Sequence, residues 1–451
     1  MNPRPDRRGI KGWHVALALL AILAICFGVF RIAVRVRLRS RINAVRAAGY
    51  PLALAELDAW YEEPGLAENA ADYVMEAFAR LRIPEGEERE SLPLFGRMEL
   101  LSRTQSLDEE AQTRVDKLLA ENAETLDLLH QVAAIKRSRF PIDLSRGHST
   151  LMPHLAEMSK AARLLALEAI THASHDNGEQ AARSIVSGYT LARSLLHEPL
   201  PISQTVRHSC DITTTEALER ILSRTQVSEE QLHKIDRAIQ TAYDRNALAH
   251  ALVAERCLGH AAFRNPRSLG LQFISHTGEP SLLLVEVRRA TGTLGRSWAT
   301  YLDLMQEYIG MAQLAPARRL RTAEAIAAKY RALPRTCSLV HYVMPSIVGL
   351  VSIDLADVAC LLTARTAVAV ERYRLAMGRL PEQLSDLVPR YMEAIPSDPF
   401  DGLPLRYKVL ENGYIVYSIG QNETDDGGTE RPEKRYRQEQ PNHDITFIVE
   451  Q

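Results

Sequence analysis

WHVALALLAILAICFGVF, residues 13–30, decides how the rest of the chain is read. It holds no Asp, Glu, Lys or Arg, and its one imidazole, His14, lies at the edge. At 1.5 Å per residue, about 18 residues rise roughly 27 Å, close to the roughly 30 Å of a bilayer's hydrocarbon core. Arg31 can snorkel toward headgroups, so Ile32, Ala33 and Val34 extend the apolar length. The stretch predicts a single membrane-spanning helix over 13–34, with the remainder tethered to it. A cleaved signal peptide would need small residues ahead of a cut, and Phe30, Arg31, Ile32 and Val34 offer none. Ile25 stands where a lipid-carrying Cys26 would need a small residue. Arg clusters on both flanks argue against a buried core helix.

The flanks give two opposed cues to orientation. Arg4, Arg7, Arg8 and Lys11 precede the span, while Arg31, Arg35, Arg37, Arg39, Arg41 and Arg46 follow it. Counting Lys and Arg favours a cytoplasmic body. A short basic N-terminus (1–12) before a first span is also the pattern of a signal anchor, which exports the body.

Composition bounds the rest. The chain has 451 residues, room for two to four domains. It is 46% hydrophobic and 24% charged, ordinary for a globular protein, while aromatics are only 6%. With Ala and Leu abundant, this favours helices packed through small residues. A net charge of -2 gives no global reason to bind nucleic acid, and Arg and aromatic residues do not interleave. The local basic run 31–46 sits where it would meet lipid headgroups, so the lipid bilayer is one expected partner and other envelope proteins are the rest. Cys26, Cys210, Cys257, Cys337 and Cys360 are far apart and form no CxxC. They support neither a zinc site nor a disulfide framework and are expected mostly as buried residues.

The pattern predicts a mainly α chain. A basic juxtamembrane helix covers 35–48, ended by Tyr50-Pro51. A helical body covers 49–345. In it, 52–61 and 68–81 read as short helices, 84–93 as an acidic loop, and 107–135 as one helix capped by Asp108. The clearest periodicity is Leu155, Met158, Ala162, Leu165 and Ala169, then Ala182, Ile185, Tyr189, Ala192 and Leu196. Asp176-Asn177-Gly178 supplies the turn of this helical hairpin. Helices at 203–222, 229–243 and 247–264 continue it, making an antiparallel bundle or short solenoid. Residues 265–295 read as irregular, followed by helices at 297–314 and 316–332. A long apolar helix over 347–377 carries Asp354, Asp357, Arg365, Glu371, Arg372 and Arg374, which excludes it as a second span. A module over 346–428 combines that helix with a hairpin, 405–410 and 414–419 around Asn412-Gly413. The segment 429–451 is a charged tail with one further strand at 444–450.

Within that module, Glu371-Arg372-Tyr373-Arg374, Gly378-Arg379-Leu380-Pro381 and 384–387 lead into Asp398-Pro399-Phe400-Asp401-Gly402 and Leu405-Arg406-Tyr407. Tyr417-Ser418-Ile419-Gly420 and Asp425-Asp426-Gly427-Gly428 follow. Residues 367–428 resemble the soluble head of type II secretion pseudopilins and other type IV pilin-like proteins. The resemblance implies a small α+β pilin-like module, an extracytoplasmic body, and a calcium-binding loop using Asp425 and Asp426. The chain as a whole resembles membrane-anchored, helix-rich proteins of Planctomycetes-type bacteria, which implies a family and not a function. Pseudopilins carry the head directly after the membrane helix, whereas about 330 residues intervene here. They also need Glu at the fifth position after the peptidase cut, and the fifth residue after Gly12 is Leu17. Processing and polymerisation as a pilin are therefore not expected.

No catalytic signature stands out. There is no G-x-S-x-G, P-loop or dinucleotide fingerprint. His172 and His175 with Glu168 and Asp176 read as a polar helix end. His208, Cys210 and Asp211 are near neighbours on one helix and point apart, so they need other segments to form a site. His250, Glu255 and His260 miss metalloprotease spacing. Asn422, Thr424, Asp426, Gly427 and Glu433 match EF-hand spacing, but no helix precedes them and Pro432 follows. The expectation is a membrane-anchored interaction or scaffold protein without catalytic activity, with calcium at Asp425 and Asp426. The alternative is a membrane-tethered hydrolase whose site is assembled from distant helices.

Overall fold

The computed structural model describes residues 12–61, 68–96, 98, 102–266, 282–334, 337–430 and 443–450. The basic N-terminus, the centre of the 265–295 segment, Glu433 and most of the charged tail lie outside them. Helix α1 (Gly12–Ala47) is unbroken over 36 residues, so span and juxtamembrane segment form one rod of about 54 Å. It is long and apolar enough to cross a membrane, with mean hydropathy 2.6 and none of its most apolar window buried. Leu20, Leu23 and Ile25 are 61%, 67% and 65% exposed. From Arg31 onward the rod meets the body: Arg31 donates to the Ala290 carbonyl, and Arg37 and Arg41 each lie 2.6 Å from the Asp303 carboxylate. Val45 is buried beside Leu52, Leu248 and Leu302. The stop is Gly49 at φ 76°, a left-handed position, reached before the Tyr50-Pro51 break.

The body opens with α2 (Leu54–Trp60) and α3 (Ala70–Arg80). The acidic stretch read as a loop contains α4 (Gly86–Glu90). The single helix expected over 107–135 is divided into α5 (Glu109–Glu121) and α6 (Ala123–Gln131). Asn122 makes the break: its buried amide donates to the Leu118 and Arg82 carbonyls and accepts from the Arg82 N–H. Asp108 caps α5 by accepting from Ala111 N–H at 2.7 Å.

The hairpin is α7 (His154–Ser174) and α8 (Gly178–Arg193), with Asn177 capping α8. Next come α9 (Pro201–Arg224), α10 (Glu229–Ala242) and α11 (Ala247–Arg264). Ser228 and Gln231 form a capping box at the start of α10. Gly188 lets α8 close on α9, since a Cβ there would lie 2.6 Å from Thr214 Oγ1. Helix α12 (Leu282–Thr291) lies within the segment read as irregular. It is followed by α13 (Thr293–Ala312), α14 (Pro316–Arg331), α15 (Ser338–Val343) and α16 (Ile347–Met377). A 39-residue segment, Leu339–Met377, matches α1 in length and nearly in hydropathy, but 67% of its most apolar window is buried. Its helical part from Ile347 onward, α16, is the central rod of the fold.

Strands β1 (Arg406–Leu410), β2 (Gly413–Ser418) and β3 (Ile445–Glu450) form one antiparallel sheet in that order. The tail thus completes the sheet. One face buries Tyr414, Val416, Phe447 and Val449 against α16 and α9, in the same core as Tyr189 and Ile235. Helical body and sheet share that core.

Candidate functional site

Two polar clusters lie inside the helical layers. In the first, α6, α7 and α8 bring His130, Glu168 and Ser187 into line. His130 Nδ1 is 2.7 Å from Ser187 Oγ, and Nε2 is 3.1 Å from Glu168 Oε2. Ser184 donates to the same carboxylate at 2.7 Å. Burial would raise Glu168, but the bond and charge of His130, then Ser184 and His172, hold it below the usual carboxylate range. Hydroxyl, imidazole and carboxylate in series are the parts of an activated nucleophile. Here Ser187 is only 1% exposed and sits within α8, where helical bonds occupy the neighbouring amides that an oxyanion would need. The arrangement can order a proton between buried groups and lock three helices. It has no open face for a substrate.

The second cluster centres on Arg207 of α9. Its Nη1 lies 3.1 Å from Asp211, one turn along, and Nη2 lies 2.6 Å from Asp357 of α16. Nε donates to Gln204 at 2.9 Å, and Nη1 also donates to the Ala242 carbonyl at 3.2 Å. His208 Nδ1 reaches Asp357 at 3.0 Å. Burial, then the Asp357 charge, pushes Asp211 well above the usual carboxylate range. Burial acts the same way on Asp357, but Arg207 and His208 outweigh it and hold that carboxyl low. Of the two, Asp211 is the carboxyl that takes a proton more readily. Close by, Arg319 of α14 pairs with Asp354 at 3.0 Å.

This places the residues weighed from the sequence. His208 and Asp211 do converge, through Arg207 and Asp357 from a distant helix. Cys210 does not join them: it is buried, and burial with the Asp211 charge pushes its thiol well up, so it is a poor nucleophile. Glu168 turns to His130, while Asp176 accepts from Thr225 at 2.7 Å. His250 packs against Trp60 and His260 against Trp298, with ring centroids 4.9 and 4.8 Å apart. Cys257, Cys337 and Cys360 are buried and unbridged, and Cys26 is exposed on α1.

The C-terminal loop follows β2. Asp425 accepts from Gly427 N–H at 2.9 Å and lies 3.8 Å from Arg406 Nε. Asp426 accepts from Asn422 at 2.7 Å. Asp444 accepts from the Asp426 and Gly428 amides at 3.3 and 2.6 Å. Asp425 and Asp426 would supply the carboxylates for a cation, with Asp444 beneath them. Among the described residues, no three His, Cys, Asp or Glu are grouped to hold a metal. The preceding Asp398 is a structural hub: it pairs with Arg406 at 2.6 Å and accepts from Ser418 and the Phe400 and Ile419 amides, each at 2.9 Å.

His130, Ser187, Asp357 and Asp444 were missed from the sequence. Each joins its cluster from a separate segment, and no local spacing marks them. Comparison of the chain with protein families, curated proteins and solved structures finds no match.

Proposed function

We propose that this chain is a single-pass membrane protein whose helical body and pilin-like C-terminal module bind envelope partners outside the cytoplasm. The observation that carries the reading is α1: its first half is apolar and bare, and its second half is docked on the body. Nothing among the described residues covers the bare half, so a bilayer is its natural solvent. The pilin-like reading, supported by a long helix leading to an antiparallel sheet, favours export of the body. Protease added to intact spheroplasts should then cleave the C-terminal half. Cleavage only after lysis would put the body in the cytoplasm.

In this reading the loop with Asp425 and Asp426 takes calcium. Binding to the folded state alone, at about 100 times the dissociation constant, adds roughly 2.7 kcal/mol. Thermal unfolding of the full chain in detergent should therefore shift upward with calcium relative to chelator. Asp425→Ala with Asp426→Ala should abolish the shift, and a shift of equal size in that variant would remove the site.

The hydrolase alternative would need the buried Ser187, His130 and Glu168 to open to a substrate. A fluorophosphonate probe that labels the native chain, but not Ser187→Ala, would establish it in place of the binding role.

A further inference from the structure

Where α8 ends, its last turn faces α10 and the strand-like segment 135–138 across a cavity of about 340 Å³. That is the lower end of the roughly 300–1,000 Å³ typical of small-molecule sites. The walls are apolar where Ala70, Ile135 and Leu196 meet. Among the described residues the charged lining is of one sign, Arg193 with the exposed Lys136 beside it, and holds no Asp or Glu.

Arg193 is the unusual member. Its Nη1 donates to Thr241 Oγ1 at 3.2 Å and its Nη2 to the Ile135 carbonyl at 2.9 Å. Both acceptors are neutral, and two of its five donors are thereby used. Among the described residues no carboxylate pairs with it. Burial pushes its pKa below the ordinary arginine range, the sign of a desolvated cation without a counter-charge. Ser138 also lines the cavity, and among the described residues its buried Oγ has no hydrogen-bond partner. A cation and a hydroxyl are thus left incomplete on the same apolar chamber.

We infer that this cavity binds a small monocarboxylate with an apolar body. The carboxylate would take the free donors of Arg193 and the hydroxyl of Ser138, and the apolar part would lie against Ile135 and Leu196. A guanidinium suits a planar carboxylate, and the bond is charge-assisted. A phosphate dianion fits less well, because only the half-buried Arg193 faces it from inside, Lys136 is exposed, and the walls are apolar.

The test is calorimetric titration of the full chain in detergent with benzoate, benzamide and inorganic phosphate. Benzoate should bind, and benzamide, which has the same shape without the charge, should bind at least about tenfold more weakly. Arg193→Gln should lose benzoate to a similar degree. Because that variant also loses the bonds that tie the end of α8 to Thr241 and Ile135, the exposed Thr241 gives a second arm: Thr241→Asp places a carboxylate beside Arg193, and should raise the melting temperature while abolishing benzoate binding. Equal binding of benzoate and benzamide, unchanged binding in Thr241→Asp, binding of phosphate in preference to benzoate, or no binding of benzoate at all would each overturn the assignment.

Discussion

Asp211 and Asp357 face one guanidinium, and their carboxyls are pushed in opposite directions. Because burial and the Asp357 charge favour the neutral form of Asp211, Asp211→Asn should be nearly silent, within about 1 kcal/mol. Arg207→Met removes the cation that Asp357 needs and should cost about 3–5 kcal/mol, as breaking a buried pair does. Urea midpoints of the two variants check this, and an equal loss in both would mean that the neutral form of Asp211 is not favoured. In the sequence, His208, Cys210 and Asp211 stood out and Arg207 beside them did not, and the meaning of the group depended on Asp357, about 150 residues on. Spacing along one helix reveals which side chains share its face. It does not reveal which face of another helix arrives there. The same limit hid Ser187 from His130 and Asp444 from Asp425.

At the scale of elements, most helices were legible because small and apolar residues recur every three to four positions, and caps mark their ends. Ser228, Asp108 and Asn177 each cap as their residue types predict. The misreadings came where tertiary bonds override local pattern: Asn122 divides a continuous helical signal because it has partners in the Arg82 strand-like segment. The seam of α11 with α13 makes a prediction about pH. His260 lies there against Trp298, 5% exposed, and among the described residues its Nδ1 has no partner. Burial, then the Arg264 and Arg46 charges, brings it down from 6.5 to about 4. The unfolded chain therefore binds the proton more readily, so stability is complete above pH 6.5 and declines as pH falls toward 4. The loss amounts to about 3 kcal/mol. Glu255 on the same helix, raised to about 7 by burial, contributes with the opposite sign, which makes the difference from a variant the useful quantity. His260→Leu should gain on the wild type by that amount between pH 7 and pH 4, read by denaturant unfolding at each pH. A constant difference across that range would contradict the buried, neutral imidazole.

The whole molecule contains two long apolar helices of opposite fate. Helix α16 is wrapped by α9, α10, α14 and the sheet, and its charged residues find partners: Asp357 with Arg207, Arg365 with Asp236, Arg372 with Glu229. Those charges were the visible reason to keep it out of a membrane. The first half of α1 has no charges and no cover, and Asp303 fixes only its basic half. In this account α1 is retained as the anchor and the body stands directly on it, without a flexible joint at the membrane surface. Carbonate extraction of membranes expressing the full chain, followed by intact mass measurement, tests that claim most directly. The account predicts the whole chain in the membrane pellet, with α1 still attached and the 50.4 kDa mass of the full 451-residue sequence. A chain released into the soluble fraction, or one shortened by a cut near residue 30, would contradict it.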